Sequence, residues 1–227
     1  SLQREANGRF GFSAKNTLGL AQALYEKHKV LTYPRTDSRH LPEDYIGTVK
    51  STMEALNDTN NYQQFSKQVL KNGWVKPNKR IFDNTKISDH FAIIPTGVIP
   101  KNLTEPEQKL YDLVTRRFLA VFFPPAEFLV TTRFTEVSGH QFKTEGKVMT
   151  NPGWLQIYGK ESQTDDKDGA NLVPVQKGEK VLADKVTPNG LVTKPPARYT
   201  EATLLSAMEG AGKLVDSDEL RDAMAGK

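Results

Sequence analysis

The chain has 227 residues, 37% hydrophobic and 26% charged, the balance of an ordinary globular protein with one large domain or two small ones. No apolar run approaches the roughly 18 residues of a membrane-spanning helix. The Ser1-Leu2-Gln3-Arg4-Glu5 start has no signal-peptide pattern, and the lack of cysteine excludes disulfide scaffolds, thiolate zinc sites and cysteine nucleophiles. A net charge of +4 is compatible with nucleic acid as a partner. There is no initiator Met, so the chain is expected to be processed or cut from something longer.

In chain order, the first third reads as helical with loops. Ser13 can accept from the first free N–H groups of a helix over 14–28, where Leu18, Ala21, Leu24, Tyr25 and His28 share one face. Val30-Leu31-Thr32-Tyr33 is a short extended piece. Pro42 suits the first turn of a helix running to about Leu56, which Asn57-Asp58-Thr59-Asn60-Asn61 breaks. A short helix follows over 62–70. Residues 72–102, punctuated by Gly73, Pro77, Pro95, Gly97 and Pro100, read as irregular. Thr104-Glu105-Pro106-Glu107 is a capping box with proline near the helix start, and its helix stops before Pro124-Pro125.

The pattern then changes. Residues 127–135, 140–149 and 154–158 are rich in Val, Thr, Phe, Trp and Tyr and read as strands, with Ser138-Gly139 as a turn. Lys160 to Asn171 is a polar, acidic stretch expected to be an exposed loop. Two more strands are expected over 180–187 and 190–194, around Pro188-Asn189-Gly190. After Pro195-Pro196, Thr200 caps a helix over 201–209 and Ser217 one over 218–225. Helical, then antiparallel, then helical segments give an α+β class.

Three stretches carry chemistry. Leu31-Thr32-Tyr33-Pro34-Arg35-Thr36-Asp37-Ser38 places a tyrosine hydroxyl beside an arginine. Pro34 fixes its own φ and biases Tyr33 towards an extended conformation. A tyrosine attacking a phosphodiester needs a cation for the phosphate and a rigid backbone to aim its oxygen. Taken singly, Tyr33 also suits a half-buried strand end, and Arg35 and Asp37 a surface ion pair or a turn cap. Ser88-Asp89-His90 stands directly ahead of the apolar run Phe91-Ala92-Ile93-Ile94. His90 can donate to a phosphate oxygen or move a proton, or it can order the loop through Asp89. In Pro195-Pro196-Ala197-Arg198-Tyr199-Thr200, Arg198 precedes a helix N-terminus, which attracts phosphate, and Tyr199 can stack on a base. The same residues suit an ordinary capped helix with a solvated arginine.

Together the three stretches resemble the type IA DNA topoisomerases, most closely the bacterial topoisomerase III branch. The opening Ser1 to Asn7 with Phe10-Gly11-Phe12-Ser13-Ala14 resembles the segment leading to the active-site helix. Leu31 to Ser38 resembles the tyrosine motif, and Ser88-Asp89-His90-Phe91-Ala92-Ile93-Ile94-Pro95-Thr96 the histidine motif. Pro195 to Leu205, with Met208-Glu209 and Ala211-Gly212-Lys213, resembles the single-strand-binding helix region. Two departures stand out: Phe91 occupies the place of a frequent second histidine, and Ala197 that of a third proline.

The resemblance implies that Tyr33 forms a 5′-phosphotyrosine bond and frees a 3′-hydroxyl, without ATP. It implies that Arg35 holds the scissile phosphate and His90 contacts a neighbouring one. Asp37, Ser38 and Asp89 would support the active-site loop, and Arg198, Tyr199, Thr200 and Thr203 would line a groove for single-stranded DNA. Residues 1–125 would be the tyrosine-bearing helical domain, 126–195 a β-rich hinge segment of the arch, and 196–227 part of the strand-binding domain. The Mg2+ site and a catalytic lysine would lie in a toprim domain outside this chain, which would leave the chain alone inactive. The resemblance also implies a cytoplasmic, nucleoid-associated location. A tyrosine recombinase is disfavoured, because none of His28, His40, His90 and His140 is followed three residues later by arginine. The alternative function is a non-catalytic single-stranded DNA-binding module with the same fold.

Overall fold

The computed structural model describes residues 1–162, 172–185, 187–211, 217 and 219. α1 (Leu2–Phe10) forms in spite of an internal Asn7-Gly8 pair and stops at Gly11, whose φ of 69° lets its N–H reach back to the Asn7 carbonyl. Ser13 caps α2 (Ala14–Glu26), its hydroxyl accepting from the Asn16 N–H. Asp44 lies in a 3-10 turn, Glu43–Tyr45, that leads into α3 (Ile46–Leu56). α4 (Gln63–Lys71) and α5 (Glu105–Phe122) complete this part. At the start of α5 the Glu107 carboxylate accepts from both the N–H and the hydroxyl of Thr104, each at 2.8 Å.

The chain divides into two compact units. One is Ser1–Phe123 with the described part of Arg198–Lys227; the other is Pro124–Ala197. In the helical unit α2 packs on α5, and α3 on α4. Leu24, Val49, Met53, Leu110, Leu119 and Val69 are at most 1% exposed, and burying such a side chain is worth about 1.5–3 kcal/mol. α6 (Glu201–Glu209) packs on α1. Its docking is polar. The Asn7 side-chain oxygen accepts from the Ala202 N–H at 3.2 Å, and the Glu201 carboxylate accepts from the Ala14 N–H at 2.6 Å, so each of α6 and α2 receives a helix-end acceptor from the facing segment. Arg4 donates to Ser206 and pairs with Glu209.

In the second unit β1 (Glu127–Val137) and β2 (His140–Asn151) form an antiparallel hairpin around Ser138 and Gly139, both with positive φ. Both its faces are largely exposed.

Three expected strands are not strands. Residues 154–158 belong to a 3-10 stretch, Gly153–Ser162. The ladder already ends at the Glu127–Asn151 pair, before 154–158. Gly153 also turns the chain at a φ of 46°, with the Asn151 side chain accepting from its N–H. The described residues of 180–187 and 190–194 carry no ladder, and Leu182 and Leu191 are more than 90% exposed. Their β-type composition finds no half-buried surface to fit, which is what strand propensity measures. Most of the expected 160–171 loop and the expected 218–225 helix lie outside the described residues.

Candidate functional site

After α2 the chain reverses. Lys29 takes a φ of 58°, and the N–H groups of Val30 and Leu31 both donate to the Leu24 carbonyl. Val30 and Leu31, each 1% exposed, anchor the segment that leads to Tyr33. They run antiparallel to 94–96: Thr96 N–H donates to Val30, Thr32 N–H to Ile94, and Leu31 lies opposite Pro95.

Tyr33 leaves this bridge half-buried. Its ring lies against the exposed His90, with ring centres 4.3 Å apart at 41°, and packs edge-on to Tyr25 of α2 at 5.4 Å. Its hydroxyl donates to no described residue. Arg35 is exposed and makes no ion pair among the described residues. Thr36 donates to the His90 carbonyl at 2.8 Å. Asp37 accepts from the Ser88 hydroxyl at 3.3 Å. The Ser38 hydroxyl donates to the Lys86 carbonyl and accepts from the His40 N–H. Asp89 is exposed and has no hydrogen bond among the described residues. The first two stretches, 50 residues and more apart in sequence, thus form one local structure.

The third stretch is ordered by its own cap. Thr200 and Thr203 cap α6 reciprocally: Thr203 N–H donates to the Thr200 hydroxyl at 3.2 Å, and Thr200 N–H to the Thr203 hydroxyl at 2.8 Å. Arg198 and Tyr199 precede them, both exposed. No described hydrogen bond, ion pair or ring contact joins these four to Tyr33, Arg35 or His90.

A cavity of about 660 Å3 lies in the helical unit, bordered by residues 34–39, α1, α5 and the Leu205–Glu209 end of α6. α5 gives it apolar lining through Leu113, Val114 and Phe118, and Arg4, Arg35, Arg39 and Arg117 give it positive charge. Arg4 pairs with Glu209 at 2.6 Å and Arg39 approaches the same carboxylate at 3.9 Å. Arg117 makes no ion pair among the described residues.

Behind the tyrosine segment His28, at the end of α2, meets Glu107 at 3.2 Å, both nearly buried. The N–H of Thr104 holds the Glu107 carboxyl below the usual Glu range, with Thr104 hydroxyl and His28 adding to it against burial. Among the described residues no three acidic, histidine or cysteine side chains converge as a metal site, and no helix is long and apolar enough to cross a membrane.

The fold, with the tyrosine, histidine and α6 stretches in this order, agrees with the comparisons to known proteins. A family model described as DNA topoisomerase matches residues 1–212. The chain belongs to that family. It is a type IA, topoisomerase III-like chain. It is 44% identical over 222 residues to DNA topoisomerase 3 of Bacillus licheniformis, covering 96% of this chain and 30% of that protein. Its identity to DNA topoisomerase 3 of Bacillus subtilis is 42% over 224 residues, with the same coverage. The solved full-length topoisomerase I of Thermotoga maritima matches with a TM-score of 0.63 and 25% identity, over 93% of this chain and 34% of that one. The topoisomerase III-like chain therefore spans about 30% of the length of the curated relatives it matches.

Sequence reasoning about this topoisomerase III-like chain did not single out Tyr25 as the second ring neighbour of Tyr33, nor Arg4, Arg39 and Arg117 as cavity arginines. Tyr25 carried a signal only as part of an apolar helix face. The arginines come from α1, α5 and the loop, and only the fold brings them to one cavity.

Proposed function

We propose that this chain is the tyrosine-bearing part of a longer, ATP-independent type IA DNA topoisomerase that cuts one DNA strand, passes another through the gap and rejoins it. The observation that carries this reading is the Tyr33–His90 ring pair at 4.3 Å beside an exposed Arg35 with no ion pair among the described residues. The Tyr33 oxygen attacks the phosphorus. The new O–P bond forms as the bond to the 3′-oxygen breaks, the phenolic proton leaves Tyr33, and the departing 3′-oxygen gains a proton. Arg35 holds the phosphate oxygens as charge gathers on them. His90 donates to a neighbouring phosphate. Asp37 and Ser38 hold the Tyr33 loop to the 86–90 stretch through Ser88 and Lys86, and Asp89, exposed beside His90, is assigned to the same loop without a hydrogen bond of its own among the described residues. Rejoining reverses the step, because the tyrosine ester keeps the energy of the broken phosphodiester.

Arg198, Tyr199, Thr200 and Thr203 are proposed to lie along the incoming single strand, as their exposure and helix-end position suit. Residues 1–125, 126–195 and 196–227 are the proposed tyrosine-bearing, hinge and strand-binding segments. The Mg2+ that the family resemblance implies is assigned to a toprim domain of the longer protein, where it would neutralise phosphate charge; no cluster of the described residues would hold it. A cytoplasmic, nucleoid-associated location belongs to the same reading, as does inactivity of the chain by itself.

The test is cleavage of labelled single-stranded DNA by the full-length protein with Mg2+, stopped by denaturant. A 5′-phosphotyrosyl adduct mapped to Tyr33, absent from Tyr33→Phe at unchanged strand binding, is expected. An adduct that persists in that variant would falsify the assignment.

A further inference from the structure

Two threonines flank Tyr33, and each commits its hydroxyl to the segment that carries His90. Thr32 Oγ1 donates to the Ala92 carbonyl at 3.1 Å and accepts from the Ile94 N–H at 2.9 Å. Thr36 Oγ1 donates to the His90 carbonyl at 2.8 Å and accepts from the Ser38 N–H at 3.0 Å. The His90 strand is thus gripped at residues 90, 92 and 94 by side chains one residue before and three after the tyrosine.

The main chain supplies only part of this register. In a regular antiparallel ladder every second facing pair exchanges two backbone bonds, and Thr32–Ile94 stands at such a position, two residues on from Val30–Thr96. Thr32 and Ile94 exchange one, Thr32 N–H to the Ile94 carbonyl. The Ile94 N–H goes instead to the Thr32 hydroxyl, which leaves the Thr32–Tyr33 peptide outside the ladder. Ile94 is 5% exposed, so its N–H has little access to water if the hydroxyl is removed.

We propose that Thr32 and Thr36 are positioning residues that set the Tyr33 ring against His90 for strand cleavage. They act through their hydroxyls and touch neither phosphate nor base. The inference rests on the topoisomerase reading of Tyr33 and His90.

The test compares Thr32→Val, Thr36→Val and Thr32→Ser. Valine keeps the branched shape and loses the hydroxyl; serine keeps the hydroxyl. In the full-length protein, single-turnover cleavage by either valine variant is expected to fall by about 10- to 100-fold, the range a misplaced reacting group costs, with strand affinity nearly unchanged. Thr32→Ser is expected to restore most of the rate. In the present chain, NMR reads the geometry without activity: the Tyr33 ring current displaces the His90 ring proton shifts in the wild type and in Thr32→Ser, and the displacement is lost in Thr32→Val. Thr36, at the edge of the site, serves if Thr32→Val fails to fold. Wild-type cleavage by both valine variants, a serine variant as slow as valine, equal losses of affinity and rate, or unchanged His90 shifts in the valine variants would each overturn the proposal. A wild-type protein that forms no Tyr33 adduct sinks the topoisomerase reading instead, and the His90 shifts still decide whether the threonines hold the two rings together.

Discussion

Tyr62→Phe should loosen the helical unit measurably while leaving its shape intact. The Tyr62 hydroxyl donates to Asp112 Oδ1 at 2.9 Å, across from α4 to α5. Arg116 holds the other oxygen of the same carboxylate at 2.7 Å. Tyr62 is 3% exposed, so phenylalanine fills its site. A hydrogen bond to a charged group contributes about 1.5–3 kcal/mol. The Asp112 side chain is 33% exposed and keeps Arg116, so water repairs part of the loss. The expected cost is therefore about 1–2 kcal/mol. With a urea m-value of about 2 kcal/mol/M, the midpoint should fall by roughly half to one molar. The chain has two tryptophans, and Trp74 packs edge-on to Phe123 at 4.9 Å within the helical unit. In a Trp154→Phe background, Trp74 fluorescence reports this unit alone. The same contact has a pH signature. Burial first, then the Asp112 charge, push the Tyr62 phenol above its ordinary value. The native state therefore keeps a proton that the unfolded state releases above about pH 10. Stability present below that pH declines as pH rises past it, and Tyr62→Phe should flatten the decline. A midpoint within about 0.2 M of wild type, with an unchanged alkaline limb, would refute the argument.

Arg35→Ala in the full-length protein should slow cleavage by about two to three orders of magnitude, as loss of one charge-stabilising donor does; a normal single-turnover rate would make Arg35 structural. For Glu107 the sign is opposite to that for Tyr62. Its folded value is depressed, so its share of stability is present above about pH 4.3 and lost as pH falls. Glu107→Gln should flatten the acid limb of a melting-temperature profile between about pH 3 and 6, and an unchanged profile would contradict this. Gly153→Ala should disrupt the second unit: the added Cβ would collide with the Pro124 and Pro125 carbonyls, with φ at +46°. Strain alone costs about 1–3 kcal/mol, and Trp154 fluorescence should report early unfolding; a stable variant would show that the Pro124-Pro125 backbone yields.

The parts of the fold legible in the sequence are those whose causes are local. Ser13, the Thr104–Glu107 box and Thr200 each meet backbone groups within four residues, so spacing along the chain is enough to place α2, α5 and α6. The segments over 154–158, 180–187 and 190–194 carry a composition like that of β1 and β2, but their described residues join no strand ladder, and pairing is not a local property. α1 was not delimited within the helical first third, because it has no side-chain N-cap and carries Asn7-Gly8 in its interior. In the candidate site the motif residues were visible one segment at a time. Their assembly depends on the Lys29 reversal and on side-chain bonds spanning more than 50 positions, which no spacing rule contains.

The junction of α6 with α1 and α2 joins residues 187, 195 and 202 positions apart. Closing a flexible loop costs only about 0.6 kcal/mol for each doubling of its length. The junction should therefore be nearly indifferent to how many residues separate Phe123 from Arg198. Added length in its ladder-free part, such as 187–194, should leave the register of α6 in place, and a reporter domain grafted there should disturb the tyrosine segment least.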